Sequence, residues 1–365
     1  MASDDESDAR LPPAASPRWG RFILGAYVLI TLVLLVDLFT GPRLTFSPLL
    51  AAVPVLAGTG TRRPWVPLAA GGVALAAVGV LAVLNGQVGT GVHAASAAAV
   101  ATVAVSSSAS VALVADRERR LAQLRSVAEA AQQALLRPVA PRIGGLRAAV
   151  RYAPAAAEAR IGGDLYAVLD SPFGVRVLLG DVRGKGLGAV ETAADVLGVF
   201  REAAVSEADL GRIAGRLDAT VARRPGDEEF VTAVLVSVPE HGSASLVNCG
   251  HPAPLLRTRH RVDEVDPPAW SPPLALLGLT GGCYPVQQVP LGPGDLLLLY
   301  TDGVSEARDT AGVFYPLAER LSAMPAGEGP EPLLDRLLAD VRAYTPHGLD
   351  DDAALLALAR PARPG

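Results

Sequence analysis

The distribution of charge divides this chain before any motif is considered. Between Arg21 and Asp116 the only formally charged residues are Asp37, Arg43, Arg62 and Arg63. A stretch this apolar cannot give a soluble domain its polar exterior, so a membrane region followed by a soluble domain is expected. Residues 22–39, 66–84 and 93–115 have spanning length, and 44–59 is a shorter run interrupted by Pro48 and Pro54. Arg10, Arg18 and Arg21 precede the first run, Arg62 and Arg63 follow the second, and Arg117, Arg119 and Arg120 follow the last. By the positive-inside rule, about four transmembrane helices over 22–115 put both termini in the cytoplasm. The expectation is a multi-pass protein of the cell membrane, in contact with membrane lipid, with a disordered cytoplasmic tail over 1–21. A cleaved signal peptide over 22–39 is disfavoured, because further apolar runs follow it and no small-residue cleavage site does. Asp37 and His93 lie near the outer ends of their runs, where exposure at the interface is the simpler reading. No paired charges mark a transport pathway.

Beyond the membrane region the sequence is of ordinary soluble type. The net charge of −5 and the absence of a basic block argue against nucleic acid as a partner. Cys249 and Cys283 have neither a disulfide framework nor metal-ligand spacing around them, and both read as buried hydrophobes. Residues 116–140 form a linker, helical over 116–136 and ended by Pro138. Leu121, Leu124, Ala128, Ala131 and Leu135 follow three-four spacing. That stripe suits either a homodimeric coiled coil or a helix packed on its own domain.

Over 141–362 strands are expected at 147–153, 164–170, 174–181, 230–238, 243–249, 253–258, 283–289, 295–301 and 353–359. Helices are expected at 187–205, 208–222 and 331–343. Strands arriving in consecutive pairs with short turns, such as Ser171-Pro172-Phe173-Gly174, indicate antiparallel sheets with helices added, an α+β fold.

Three acidic motifs sit where buried strands begin or end: Ile161-Gly162-Gly163-Asp164, Gly180-Asp181-Val182-Arg183-Gly184-Lys185-Gly186 and Tyr300-Thr301-Asp302-Gly303. A fourth acidic run is Asp350-Asp351-Asp352. Each alone is an ordinary turn dipeptide. Carboxylates converging from several strand ends, however, suit hard divalent cations such as Mg²⁺ or Mn²⁺.

The order of the four motifs resembles the bacterial SpoIIE-like branch of the PP2C-type (PPM) serine/threonine phosphatases. Phe230-Val231-Thr232-Ala233, Gly250-His251-Pro252 and Glu306 after Thr-Asp-Gly strengthen the resemblance, which covers about residues 125–360. It implies a sandwich of two antiparallel sheets flanked by helices, here preceded by an α-helical transmembrane bundle. It also implies a protein-serine/threonine phosphatase that uses two Mn²⁺ or Mg²⁺ ions and a metal-activated water. The implied substrate is a phosphorylated anti-sigma-factor antagonist, in sigma-factor signal transduction.

By the same resemblance Asp181 bridges both metals, the Val182 carbonyl completes the second site, and Asp302 and Asp351 ligate the first. Asp164 acts mainly through metal-bound water. Asp352 is the alternative to Asp351. Arg183 and Lys185 suit either substrate phosphate or a solvated loop. Glu306 reads as a cap of the following short helix rather than a group touching the metal site, and His251 as a histidine fixed by packing rather than a general acid. Tyr166-Ala167 stands where the family often has Tyr-Asp, so one acidic residue is missing. A catalytically silent membrane receptor or scaffold on the same fold is the alternative function.

Overall fold

The computed structural model describes residues 19–40, 45–84, 91–154, 162–224, 229–325, 327–346 and 348–362. The expected tail over 1–21 lies almost wholly outside them. Two compact units are present, Met1–Gln123 and Leu124–Gly365.

The first unit is helical: α1 (Trp19–Thr40), a short 3-10 helix (Ser47–Ala52) running into α2 (Val53–Gly58), α3 (Trp65–Leu84) and the start of α4 (Gly91–Leu135). Three helices are long and apolar enough to cross a membrane: Gly20–Thr40, Trp65–Leu84 and Gly91–Gln123. The expected run over 44–59 instead folds as the shorter helical pair Ser47–Gly58. The stretch from Ser47 to Arg62 that contains it is nevertheless tied to α4 at two distant points. Ser47 Oγ lies 3.0 Å from Ser96 Oγ, and Arg62 Nε lies 2.6 Å from Glu118 Oε2. Those two points on α4 are about 33 Å apart at 1.5 Å per residue. The stretch from Ser47 to Arg62 therefore runs alongside most of that length of α4, helical to Gly58 and irregular from Thr59 to Arg62.

Exposure at an interface is not what the structure gives Asp37 and His93, which are 1 % and 4 % exposed. Asp37 turns inward because its carboxylate accepts the Phe46 N–H at 2.6 Å and the Thr45 hydroxyl at 3.1 Å.

The second unit is a four-layer sandwich. One sheet has six strands in the order β1-β2-β11-β10-β7-β8, the other five in the order β3-β4-β5-β6-β9. Their ranges are β1 Arg142–Ile143, β2 Leu146–Ala153, β3 Asp164–Ser171, β4 Gly174–Val182, β5 Val231–Val238, β6 Ala244–Cys249, β7 Leu255–Arg257, β8 Val262–Glu264, β9 Gln287–Val289, β10 Leu296–Tyr300 and β11 Ala353–Ala359. The strand pairs are antiparallel.

The continuous apolar runs follow from burial on both faces. Val177 and Leu179 of β4 meet Leu297, Leu299, Leu356 and Leu358 between the sheets. Leu178, one residue out of phase, points the other way, onto α5 (Leu187–Ser206) and α6 (Leu210–Val221). Leu296, Leu298 and Tyr300 pack on α9 (Leu317–Ala323) and α10 (Pro330–Tyr344). Two single-turn helices complete the unit, α7 (Leu277–Thr280) and α8 (Asp302–Ser305).

The last apolar run and the linker are one continuous helix, α4. At its end Ala131 and Leu135 pack against Val190 of α5, so this stretch packs on its own domain. The side chains of Leu124 and Ala128 lie outside the described residues. Of the two cysteines, Cys249 is buried as expected, but Cys283 is exposed, on the loop after α7.

Candidate metal centre

Antiparallel register alone brings the first two acidic motifs together. Asp164 opens β3 and stands directly opposite Asp181 near the end of β4. Like charges directly opposed across a strand pair are unfavourable, and here the pair is also largely buried. Burial pushes Asp181 up to about 7, and Asp302 and Asp351 push in the same direction. Burial, then Asp181, holds Asp164 well above the usual carboxylate range. Asp302 is also raised, by burial and then by Glu306 and Asp351.

Sheet pairing supplies the remaining carboxylates. Thr301 and Asp302 follow β10, and Asp351 and Asp352 precede its neighbour β11. The rim opens into a cleft of about 360 Å³ that Asp302, Glu306, Asp350 and Asp351 help to line.

Three glycines are there because backbone and carboxylates approach too closely for a side chain. A Cβ on Gly162 would overlap the Asp352 carboxylate, one on Gly163 the Val182 carbonyl, and one on Gly303 the Asp352 carbonyl. Gly184 and Gly186 in the loop before α5 have φ of 108° and 92°, which favours glycine.

The carboxylates are individually supported. Thr301 is fully buried; its hydroxyl donates to Asp164 Oδ2 at 2.9 Å and accepts the Ala354 N–H at 2.9 Å. The Tyr152 hydroxyl donates to Asp352 Oδ2 at 2.7 Å. Gln132, near the end of α4, donates to the Gly162 and Asp164 carbonyls at 3.2 and 3.4 Å. Lys185 Nζ donates to Asp351 Oδ1 at 2.6 Å, so its ammonium is paired on the rim rather than solvated alone. Arg183 stacks on Phe230, 5.1 Å from the ring centroid.

The two successive aspartates are thus distinguished. Asp351 is exposed and paired with a cation, while Asp352 is 4 % exposed and held by a phenol. Glu306 is the C-cap residue of α8, its backbone N–H donating to the Asp302 carbonyl at 2.7 Å, and its charge lies beside Asp302 on the cleft. His251 is packed as expected. Its Nδ1 lies 3.0 Å from Thr232 Oγ1, and burial pushes it down to about 3.

The sequence reading passed over Tyr152, Gln132 and the hydroxyl of Thr301 as functional groups. A lone tyrosine in a strand carries no signal of its own. Tyr152 reaches the site because it pairs with Ala354 across β2 and β11.

Among the described residues no three acidic, histidine or cysteine side chains close on one point at ligand distance. The donor set nevertheless fits a hard divalent ion. It is oxygen-only, and its buried carboxylates have raised proton affinities that a cation would relieve.

Comparison with known proteins agrees with this architecture. The family model of Stage II sporulation protein E (SpoIIE) matches residues 171–361, more than half the chain. The RsbU and RsbW domains of a Mycobacterium tuberculosis protein are 26% identical, with a TM-score of 0.53, over 61% of this chain and 62% of that one. The SiaA-PP2C domain of Pseudomonas aeruginosa shares the fold, with 19% identity and a TM-score of 0.56 over 67% of this chain and 98% of the domain. The match to the family model and the two antiparallel sheets bordered by these acidic motifs together make this chain a member of the SpoIIE family, with the PP2C phosphatase fold.

Proposed function

We propose that the protein is a membrane-anchored, Mn²⁺- or Mg²⁺-dependent protein-serine/threonine phosphatase. The observation that carries this reading is the opposition of Asp164 and Asp181 in register, with Asp302 and Asp351 on the same rim. Asp181, the Val182 carbonyl, Asp302 and Asp351 are the residues that would hold two ions, with Asp164 acting through bound water. When bound, the ions would neutralise phosphoryl charge and supply an activated water. The chain's own part is to fix these carboxylates, through Thr301 at Asp164 and through the sheet register at Asp181. The strands beneath them exclude water from one side.

The substrate class we favour is a phosphoserine- or phosphothreonine-containing protein of the anti-sigma-factor-antagonist type. The similarity to a protein carrying RsbU and RsbW domains supports this choice. The domain limits we propose are 22–115 for the membrane region, 116–140 for the linker and 141–362 for the phosphatase domain. Both termini would be cytoplasmic, with 44–59 as the fourth crossing.

The test is phosphate release from a phosphoserine antagonist protein by full-length protein and by residues 116–365, with Mn²⁺ or with chelator. Metal-dependent release that Asp181→Asn lowers at least about a hundredfold is expected. A folded protein that releases no phosphate from several phosphoproteins under any metal would favour the scaffold reading instead.

A further inference from the structure

The cleft beside the carboxylate rim presents a problem of charge. Of the described residues that line its 360 Å³, Asp302, Glu306, Asp350 and Asp351 are acidic and Arg308 alone is basic. A phosphomonoester dianion entering here meets repulsion that bound cations would only partly offset. It needs a positively charged group to hold its remaining oxygens.

Arg308 is built into a rigid turn. The Asp309 carboxylate accepts the Ala311 and Val313 N–H groups at 2.8 and 2.9 Å. The Tyr315 N–H donates to the Ala307 carbonyl at 2.8 Å, and Arg308 and Phe314 form an antiparallel bridge. The Arg308 guanidinium carbon lies 4.3 Å from the Phe314 ring centroid. Stacking occupies the face of a guanidinium and leaves its edge of N–H donors available, the edge that binds phosphate oxygens in pairs. Among the described residues Arg308 makes no ion pair, although it shares the cleft with four carboxylates. The other two basic candidates are placed differently. Lys185 is engaged by Asp351, and Arg183 stacks on Phe230 and does not line the cleft.

We propose that Arg308 recognises the substrate's phosphoryl group, and that Phe314 is the platform that presents its guanidinium edge to the cleft. This rests on the phosphatase reading and specifies which side chain selects the phosphate. Binding involves no covalent step. Arg308 donates hydrogen bonds to phosphoryl oxygens, and the hydrolytic chemistry stays with the carboxylate rim.

The test uses full-length protein in detergent micelles with Mn²⁺ and two probes, p-nitrophenyl phosphate as substrate and inorganic phosphate as product inhibitor. Wild type is compared with Arg308→Ala, Arg308→Lys and Phe314→Leu. Melting temperatures check folding, and the Mn²⁺ activation midpoint checks the metal centre. Arg308→Ala should raise KM for p-nitrophenyl phosphate and Ki for inorganic phosphate about tenfold or more, with kcat within about threefold. Arg308→Lys, which keeps charge but loses the paired donors, should fall between, and Phe314→Leu should raise both constants less. Unchanged KM and Ki in a folded, active Arg308→Ala protein would overturn the inference. So would a loss confined to kcat or to the Mn²⁺ midpoint. If Arg308→Ala does not fold, Arg308→Lys and Phe314→Leu decide on the same constants.

A wild type that releases no phosphate would remove the phosphatase reading. Titration calorimetry of inorganic phosphate with Mn²⁺ present would then decide about Arg308. Binding weakened about tenfold in Arg308→Ala supports the site; equal binding, or none in wild type, rejects it.

Discussion

Thr301 has a single proton to give. Because the Ala354 N–H donates into its oxygen, that proton goes to Asp164 Oδ2, and one oxygen of a buried carboxylate is fixed. Thr301→Val keeps the shape and removes the donor. It should weaken Mn²⁺ binding about tenfold in a calorimetric titration, whereas Thr301→Ser should bind like wild type. Equal affinity of the valine and serine variants would show that the hydroxyl is only filler. Asp181 gives a prediction in pH. Its carboxyl is raised from 3.8 to about 7 in the fold. As pH rises from 3.8 the unfolded chain ionises first, so folding loses stability until about pH 7, and the loss is constant above. With chelator present, Asp181→Asn should therefore be more stable than wild type near pH 8, by on the order of 2 kcal/mol. The difference should vanish near pH 4. Comparing the two proteins at each pH cancels His251, whose depressed value destabilises the fold as pH falls below 6.5. Denaturant melts at four pH values measure this directly, and a pH-independent difference would contradict it.

Among the elements, α4 has the widest reach. It is a single helix of 45 residues. It starts in the apolar unit, and near its end Gln132 donates to the Gly162 and Asp164 carbonyls. The segment that carries Asp164 thus has a hydrogen bond to the helix as well as its strand pairing with β4. We expect the membrane region or this helix to set turnover. Full-length protein in bilayers and residues 116–365 should differ in kcat by about threefold or more, on the scale of a modest coupling free energy. Equal turnover across candidate stimuli would count against control through α4. The β4–α5 connection shows a different use of an element boundary. Positive φ at Gly184 and Gly186 lets the chain leave a buried strand, pass the rim with Val182 to Lys185, and enter a helix within four residues.

At the scale of the whole molecule, the two units build two kinds of core. The helical unit buries its small and branched residues, including Ala74, Val78, Leu81 and Val100, among its own helices and leaves residues such as Leu32, Leu38 and Val83 exposed. That is the surface expected of helices in lipid. The sandwich unit instead buries strands on both faces and keeps its acidic rim at the ends of its strands. Much of this was legible in the chain. The charge-poor first third, the strand runs 164–170, 174–181 and 353–359, and the helices 187–205, 208–222 and 331–343 recur within one or two residues. Period-two apolar runs and glycine punctuation are local signals, and here local preference and tertiary packing agree. The two-residue strand β1 and the short β8 left no such signal.

The sequence by itself determined the division into an apolar and a soluble part, the α+β class and the identity of the acidic motifs. These depend on composition, periodicity and residue order along the chain. Only the tertiary structure decided what each aspartate touches. Register placed Asp164 against Asp181, pairing of β2 with β11 brought Tyr152 to Asp352, and chain reversal turned Asp37 inward. Each of these contacts joins residues through a fold-dependent meeting of backbones, and the two that build the site lie in separate strands. A linear pattern encodes which residues are available, but not which of two neighbours such as Asp351 and Asp352 meets the lysine and which the phenol.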